Sequence, residues 1–264
     1  MTRRVRVSAV SFLNARPLVE GLDARPDLFD LRTDLPAACA ARLHAGEVDL
    51  GLIPAIEYLH DDYRLVPDIA IGSDGPILSV AVFTRVPIEQ VRRLALDTSS
   101  RTSAALCRIL CAAHWGIAPT FVPAAPDLAT MLQTADAALV IGDPALAIDA
   151  AAAGVEKIDL GAAWRTLTGL PFVYAAWTGR PGALDDAHLA ALAAARDAGL
   201  AARARLADEA AGGDPAAAAR LGAYLRDNLV YTFGDRARAG LERFYELARA
   251  AGHPAAPRPL RFFP

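Results

Sequence analysis

Short apolar runs alternate along the chain with longer segments that are rich in alanine and leucine. The apolar runs predict β-strands at 5–10, 29–35, 48–54, 77–85, 92–97, 120–124, 137–146 (with its turn) and 171–179. The segments between them predict helices at 15–22, 36–46, 98–116, 127–135 and 147–154, and from about 184 to 251 with a break at 212–215. This alternation predicts an α/β fold whose strands are largely parallel.

The strand–helix pattern starts again near the middle of the chain. The long apolar strand at 77–85 is matched by a second one at 171–179. The repetition predicts two lobes joined by two crossover strands, with lobe 1 formed by residues 1–85 and 176–264 and lobe 2 by residues 86–175. Because open α/β sheets bind ligands beyond the carboxyl ends of their strands, we expect a central ligand cleft between the lobes.

The composition argues against several classes of protein. Of the 264 residues 54% are hydrophobic and 22% are charged, and the net charge of −3 gives no reason to expect a nucleic acid or an acidic membrane as partner. The histidines are scattered, the cysteines form no CxxC pair, and no GxGxxG, P-loop or GxSxG motif occurs, so we expect no nucleotide, metal or other cofactor. The basic N-terminus lacks the continuous apolar region of a signal peptide, which favours a cytoplasmic protein.

The stretch DTSSRTS, at 97–103, places a cluster of hydroxyl groups where a strand ends and a helix begins. The first N–H groups of a helix lack internal partners and favour an anion. The candidate hydroxyl donors of this stretch are Thr98, Ser99, Ser100 and Thr102. Arg101 is expected to pair with a ligand carboxylate or with Asp97. Because serine and threonine are also common helix caps, the pattern favours equally a carboxylate site and a heavily capped helix.

Polar residues also follow the first predicted strand, in the stretch SFLNARPL at 11–18. Ser11 and Asn14 lie at a strand-to-helix turn and are expected to face the cleft. The Asn14 amide can both donate and accept hydrogen bonds. Asn14 is equally suited to cap the following helix, so both roles stay open.

Three other turns carry candidate residues for the cleft. Ser79 lies at the start of the first crossover strand, after a turn containing Gly75. Gly142 and Asp143 follow another apolar strand, and Asp143 is expected either to cap a helix or to face the cleft. Glu57 follows the strand at 48–54; we favour a carboxylate in the first turn of a helix over a catalytic base.

Taken together, these stretches resemble the MqnA family of chorismate dehydratases, from the futalosine route to menaquinone. The matching stretches are VSFLNARPL, GEVDLGLIPAIEYL, SDGPILSV, LDTSSRTSAALCRIL, IGDPAL and AAWRTLTGLPFVYAAW. They occur in the family's order and cover most of residues 5–178, whereas the helical remainder matches more loosely. The resemblance implies the two-lobed fold of type II periplasmic binding proteins in a cytoplasmic enzyme.

The resemblance also implies dehydration of chorismate to 3-[(1-carboxyvinyl)oxy]benzoate without a cofactor. The loop at 98–103 is expected to bind a substrate carboxylate, and Ser11 and Asn14 are expected to fix the substrate across the cleft as the catalytic residues. The remaining expected substrate-binding residues are Ser79, Gly142 and Asp143. No histidine lies in a matching stretch, so the base is expected to be Asp143, Glu57 or the enolpyruvyl carboxylate of the substrate, which we favour.

Two alternatives fit the same residues. One is an enzyme like 1,4-dihydroxy-6-naphthoate synthase, which shares this fold but relies on a histidine base that no matching stretch supplies. The other is a non-catalytic binding protein for a small carboxylate. Turnover of each candidate substrate distinguishes the three functions, and an oligomer is compatible with each of them.

Overall fold

The computed structural model describes residues 3–255 and 258–264 and places their strands in two mixed sheets. In chain order the strands are β1 (Val5–Val10), β2 (Phe29–Asp34), β3 (Leu50–Pro54), β4 (Arg64–Ser73), β5 (Val80–Thr84), β6 (Arg93–Asp97), β7 (Thr120–Ala124), β8 (Ala137–Ile141), β9 (Glu156–Asp159) and β10 (Phe172–Gly179). The first sheet has the order β2–β1–β3–β10–β4, and the second has the order β7–β6–β8–β5–β9. The predicted α/β class is therefore confirmed.

The two sheets are built on the same plan. In each, three parallel strands are followed by one antiparallel strand, which is β10 in the first sheet and β5 in the second, and then by an edge strand. Every residue of β3, β5, β8 and β10 is buried. Strands covered on both faces have continuous apolar sequences, which is why these four are the clearest in the sequence.

The chain crosses between the sheets twice. It leaves the first sheet at Ser73 and enters the second at Val80, and it returns to the first sheet at Phe172. The sequence-based division at residues 85 and 175 differs from this arrangement, because it assigns β5 to lobe 1 and the start of β10 to lobe 2. Each of these strands instead pairs within the sheet that it enters, so its apolarity reflects burial between two neighbouring strands.

Helices cover the faces of both sheets. In chain order they are α1 (Pro36–Ala45), α2 (Arg101–Ala113), α3 (Leu128–Thr134), α4 (Gly142–Ala147), α5 (Leu160–Thr168), α6 (Asp186–Ala201), α7 (Arg203–Ala211), α8 (Pro215–Ala223) and α9 (Asp235–Ala250). Short 3₁₀ helices lie at Leu13–Leu18, Ala55–His60 and Ile88–Gln90, and a π-helical turn lies at Tyr224–Asn228. The helices predicted at 36–46, 98–116 and 127–135 are confirmed, with shorter ends.

The predicted helix at 147–154 is wrong, because this alanine-rich segment forms turns. The Asp149 carboxylate accepts a hydrogen bond from the Ala152 N–H at 3.1 Å, which favours a turn. Residues 151–154 are exposed and offer no apolar stripe, so a short helix here would lack the packing that stabilises most helices in proteins.

Three elements are absent from the sequence-based prediction. Strand β4 contains Pro67, which is tolerated because β4 lies at a sheet edge. Strand β9 has the sequence EKID, whose charged residues suit an edge and hide the strand pattern. Helix α5 follows β9 directly and is capped by Asp159, whose side chain accepts a hydrogen bond from the Ala162 N–H.

An aromatic cluster holds β10 behind the cleft. The ring of Phe172 lies 5.1 Å from that of Trp164 in α5 and 5.0 Å from that of Phe244 in α9, in edge-to-face arrangements. The same Phe172 ring lies 4.7 Å from the ring of Tyr174, two residues along the strand. The cluster therefore fixes the position of Tyr174 in the site described below.

Candidate active site

A narrow cavity lies between the lobes, where several strands of both sheets end. Its walls include Val10 and Pro54 at the ends of β1 and β3, and Ile141 at the end of β8. The polar side chains on its walls are those of Asn14, Ser100, Ser103 and Tyr174, and no wall residue carries a charge. The cavity has a volume of about 40 Å³, which is space for only a few water molecules. The lobes are therefore close together in this structure.

Asn14 lies in the 3₁₀ helix Leu13–Leu18 and lines the cavity. Its Oδ1 atom is buried and has no hydrogen-bond partner among the described residues. Its backbone oxygen accepts a hydrogen bond from the Tyr231 hydroxyl at 2.8 Å, which fixes the backbone of this turn. The residue preceding this helix is Phe12, so the alternative of Asn14 as a helix cap is wrong. A buried amide oxygen without a partner is costly unless a ligand or water satisfies it.

Ser11 is exposed and is not among the residues that line the cavity. Its backbone N–H donates to the oxygen of Asp34 at 3.0 Å, which continues the pairing of β1 with β2. The structure therefore brings Asn14 to the cavity but leaves Ser11 outside it.

The start of α2 supplies two hydroxyl groups to the cavity. Ser100 caps the helix, since its Oγ accepts a hydrogen bond from the Ser103 N–H at 3.3 Å and lies 3.0 Å from the Ser103 Oγ. Both serines line the cavity, at the end of the helix where the dipole favours a negative charge. Ser100 therefore caps the helix and also faces the cleft, so the two alternatives for DTSSRTS are compatible, and the carboxylate site stays a prediction.

The other hydroxyl residues of this stretch have different surroundings. Thr98 is exposed and donates to the Ala124 oxygen, whereas the buried Oγ of Ser99 has no partner among the described residues. Thr102 is fully buried, and its Oγ1 accepts a hydrogen bond from the Ile56 N–H of lobe 1 at 3.0 Å. These three residues do not line the cavity.

Arg101 lies outside the cavity and joins the lobes. Its Nη1 donates to the Glu57 Oε2 at 2.8 Å, and the His44 Nε2 lies 2.7 Å from the same oxygen. The predicted pairing of Arg101 with Asp97 is wrong, because the Asp97 carboxylate accepts backbone N–H groups of Ser99 and Ile141 instead. Burial tends to raise the pKa of Glu57, but the His44 hydrogen bond and the Arg101 charge lower it overall. Glu57 is therefore an ionised partner of Arg101 and does not line the cavity.

Asp143 also joins the lobes. Its two carboxylate oxygens accept the Leu13 N–H at 3.1 and 3.2 Å. Helix α4 begins at Gly142, so the alternative of Asp143 as its N-cap is wrong. Although much of the residue is exposed, burial of the carboxyl group raises its pKa, and the Leu13 N–H opposes that change. Asp143 lies beside the cavity and not on its walls.

Gly142 allows a close approach of the two lobes. It lines the cavity with φ of +68°, a left-handed conformation that favours glycine, and a Cβ atom here would lie 2.6 Å from the Phe12 ring. Its N–H donates to the Ser79 oxygen at 2.7 Å. Ser79 is fully buried, and its Oγ accepts a hydrogen bond from the Tyr224 hydroxyl at 2.8 Å. Ser79 thus supports Gly142 and Tyr224 from behind the cavity wall.

Sequence reasoning missed Tyr174, Phe12 and Tyr224, and it included Ser103 only as part of the loop at 98–103, without naming it among the substrate-binding residues. The Tyr174 hydroxyl lies 3.1 Å from the Ser73 Oγ, and burial raises its pKa, so the phenol is neutral at pH 7. A single tyrosine inside the apolar strand PFVYAAW was an available signal for this residue. Tyr224 lies in the π-helical turn, for which the sequence carries no comparable signal.

Among the described residues, no group of three or more His, Cys, Asp or Glu side chains could hold a metal ion. Within the same part of the chain, no helix has the length and apolarity needed to cross a membrane.

Comparison with solved structures supports the two-lobed fold. An X-ray structure of a protein from Archaeoglobus fulgidus has a TM-score of 0.71 at 18% identity, covering 94% of this chain and 98% of that one. The periplasmic aliphatic sulphonate binding protein SsuA of Escherichia coli has a TM-score of 0.66 at 14% identity, with coverages of 100% and 95%. A Candida albicans protein described as having the generic periplasmic binding protein fold has a TM-score of 0.60 at 12% identity, with coverages of 95% and 92%. At these identities the likeness shows the fold alone, and the predicted periplasmic-binding-protein-like architecture is confirmed.

Comparison of sequences shows the family. A chorismate dehydratase of Thermus thermophilus is 32% identical over 186 residues, which are 64% of this chain and 67% of that protein. The family model described as menaquinone biosynthesis matches residues 5–250, which include both lobes and the cleft between them. The chain therefore belongs to the menaquinone biosynthesis family.

Proposed function

We propose that this protein is a chorismate dehydratase, which converts chorismate to 3-[(1-carboxyvinyl)oxy]benzoate and water. The observation that carries the proposal is the cavity between the lobes, whose polar walls are neutral donors and whose Asn14 Oδ1 is buried without a partner among the described residues. The relative that is 32% identical bears the same activity in its name. We place the reaction in the cytoplasm, where the three buried cysteines would stay reduced, as free thiols.

The start of α2 is suited to hold one of the two substrate carboxylates. Ser100 and Ser103 offer hydroxyl donors, and the first turn of the helix offers backbone N–H groups and the positive end of its dipole. These donors bind an anion without a lysine or arginine. A fixed set of neutral donors also stabilises negative charge that builds on the ring carboxylate when the ring proton leaves.

Among the residues that the structure describes, no aspartate, glutamate or histidine lines the cavity. Tyr174 is the one titratable group on its described walls, and its raised pKa makes it a donor and not a base at neutral pH. We therefore assign proton abstraction to the enolpyruvyl carboxylate of the substrate itself. The absence of a histidine from the walls also argues against the alternative of a 1,4-dihydroxy-6-naphthoate synthase-like enzyme.

The proposed reaction breaks two bonds to ring substituents, the C3–H bond and the C4–O bond. The enolpyruvyl carboxylate takes the proton from C3, and the ring carboxylate shares the negative charge that results. The bond from C4 to its hydroxyl group then breaks, and the departing oxygen takes a proton and leaves as water. The electron pair of the C3–H bond completes the aromatic ring, which supplies the driving force. The protein mainly orients the substrate and excludes water.

In this scheme Asn14 orients the hydroxyl group that leaves. Its Oδ1 can accept a hydrogen bond from that hydroxyl, and its amide nitrogen can donate to the departing oxygen. Tyr174 lies on the same cavity and can donate to the second carboxylate. Substrate entry also needs an opening of the lobes, because the cavity of about 40 Å³ is too small for chorismate.

The test is to mix the purified protein with chorismate, without metal or nucleotide, and to follow the products by chromatography and mass. We expect loss of one water and formation of the substituted benzoate. Ser100→Ala is expected to raise KM, while Thr98→Ala serves as the control, since Thr98 belongs to the same stretch but is exposed. Unchanged chorismate with a folded protein would refute the proposal, and saturable binding without turnover would identify a binding protein instead.

A further inference from the structure

A second and larger cavity lies on the flank of the cleft. We call it the flanking pocket; its volume is about 420 Å³, against about 40 Å³ for the cavity of the proposed active site. Residues of α4, β9 and α8 form its walls, including Asp143, Lys157 and Arg220. Tyr224 lines the flanking pocket, and its hydroxyl donates a hydrogen bond to Ser79, which lies behind the cleft.

The charged side chains on these walls, two basic and one acidic, give the flanking pocket a net positive charge. Lys157, the only lysine of the sequence, donates to the Ala145 oxygen at 3.3 Å, and Arg220 is exposed without an ion pair in the part of the chain that the structure describes. The carboxylate of Asp143 already accepts the Leu13 N–H. Burial lowers the pKa of Lys157. An anion bound beside the ammonium group would stabilise its charged form and raise that pKa.

Asp159 is the carboxylate whose charge acts on Lys157, but it has other partners. Its oxygens accept the backbone N–H groups of Ile77 and Leu78 at 2.6–3.1 Å and that of Ala162 at 2.9 Å. Asp159 is therefore held at the first crossover, and it does not close an ion pair with the lysine.

The remaining walls of the flanking pocket are largely apolar. They include the side chains of Leu13, Leu78 and Leu221. Leu78 is one of two large apolar side chains that stand out as exposed among the described residues, and its φ of +62° is an unfavourable conformation for leucine. The strained and exposed Leu78 therefore presents an apolar surface to the pocket, against which a ligand could pack.

We propose that the flanking pocket binds a small organic acid that has an apolar ring. The carboxylate would lie between Lys157 and Arg220, and the ring would pack against Leu78 and Leu221. This site is separate from the cleft and does not depend on the proposed reaction, although the benzoate product of that reaction belongs to the same chemical class. Tyr224 connects an occupant of the pocket to Ser79, whose backbone oxygen accepts the N–H of Gly142 on the cleft wall.

The test is calorimetric titration of the full chain with sodium benzoate at low salt, with benzamide as the uncharged ligand of similar shape. We expect saturable binding of benzoate that weakens with salt, and no saturable binding of benzamide. Arg220→Gln and Lys157→Met should each weaken the affinity by about tenfold. Arg226→Gln, which removes an exposed arginine outside the pocket, and Ser100→Ala, which changes the cleft, should leave the affinity unchanged.

Equal affinity of Arg220→Gln, Lys157→Met and the unaltered protein would overturn the proposal, as would loss of binding in Ser100→Ala or the absence of any saturable heat. Arg220 is exposed, so its replacement is expected to fold even if that of the partly buried Lys157 does not. Chorismate turnover measured on the same samples reports on the proposed function separately. Loss of benzoate binding would therefore leave chorismate turnover as a test of the proposed function, and absence of turnover would leave benzoate binding as a test of the flanking pocket.

Discussion

Gly142 tests whether the cleft closes through direct contact between the lobes. In Gly142→Ala, the new Cβ would lie 2.6–2.8 Å from three carbon atoms of the Phe12 ring, where ordinary contacts begin at about 3.4 Å. The ring must therefore retreat by roughly 0.8 Å, or the lobes must separate. Because Gly142 and Phe12 lie on opposite lobes, the clash opposes the closed arrangement.

The expected magnitude has two parts. Alanine at a φ of +68° costs ~1–2 kcal/mol relative to an ordinary backbone conformation. Overpacking against the ring adds ~1–3 kcal/mol in the closed state, which corresponds to about a tenfold to hundredfold loss in kcat/KM for chorismate. Gly154→Ala is the matched control, because Gly154 has a φ of +63° but nothing lies within 4 Å of the place that its new Cβ would take. Gly154→Ala therefore has the same backbone cost as Gly142→Ala but causes no overpacking.

The assays are denaturant unfolding and chorismate turnover on both variants. We expect both to lose stability, and only Gly142→Ala to lose turnover. The double variant Gly142→Ala with Phe12→Ala removes the ring that causes the clash and should recover part of the turnover. If Gly142→Ala and Gly154→Ala have equal kcat/KM, the contact with Phe12 has no part in closure and the reasoning is refuted.

Three other substitutions give contrasting results. Thr102→Val leaves the Ile56 N–H buried without its acceptor and should cost ~1–3 kcal/mol in urea unfolding, whereas Thr98→Val, at an exposed position, should change it by less than about 0.5 kcal/mol. Because the pKa of Glu57 is lowered in the fold, its ionisation stabilises the protein above the usual value of 4.5, and that stabilisation is lost as the pH falls through the lowered pKa. Glu57→Gln should therefore be less stable than the unaltered protein at pH 7, and the difference should shrink as the pH falls below 4.5. Asn14→Ala should lower the free energy of unfolding by no more than about 0.5 kcal/mol, because Oδ1 has no partner to lose among the described residues, while chorismate turnover falls at least ~100-fold. Unchanged turnover would contradict the role proposed for Asn14.

The central strands were predictable because their sequences carry one consistent signal. Strands β3, β5, β8 and β10 are buried throughout, so their apolar runs marked them. The edge strands β4 and β9 were not predicted. Pro67 in β4 and the charged residues of EKID in β9 are tolerated at a sheet edge, but they interrupt the apolar pattern that identifies a strand. The alanine run at 147–154 misled the prediction, since helix propensity without a surface to pack on does not form a helix.

The candidate site was predicted in part. Asn14, Ser100 and Gly142 line the cavity, as their positions at the ends of strands indicated. Residues next to them in sequence were harder to place, because neighbours in a turn point in different directions. Thr102 and Asp143 face the opposite lobe across the cleft, and this depends on how the lobes meet. A single sequence without a three-dimensional arrangement carries no signal for such contacts.

The order of strands in the first sheet has a consequence for synthesis of the chain. Strand β10 lies between β3 and β4, and Phe172 pairs with Ser73 across a long stretch of intervening sequence. The second sheet, by contrast, is built from the continuous segment between Val80 and Asp159. A nascent chain can therefore complete the second sheet while the facing edges of β3 and β4 still await their partner. During that interval these open edges are exposed to pairing with other chains, so aggregation of the unfinished protein and chaperone binding should be concentrated there.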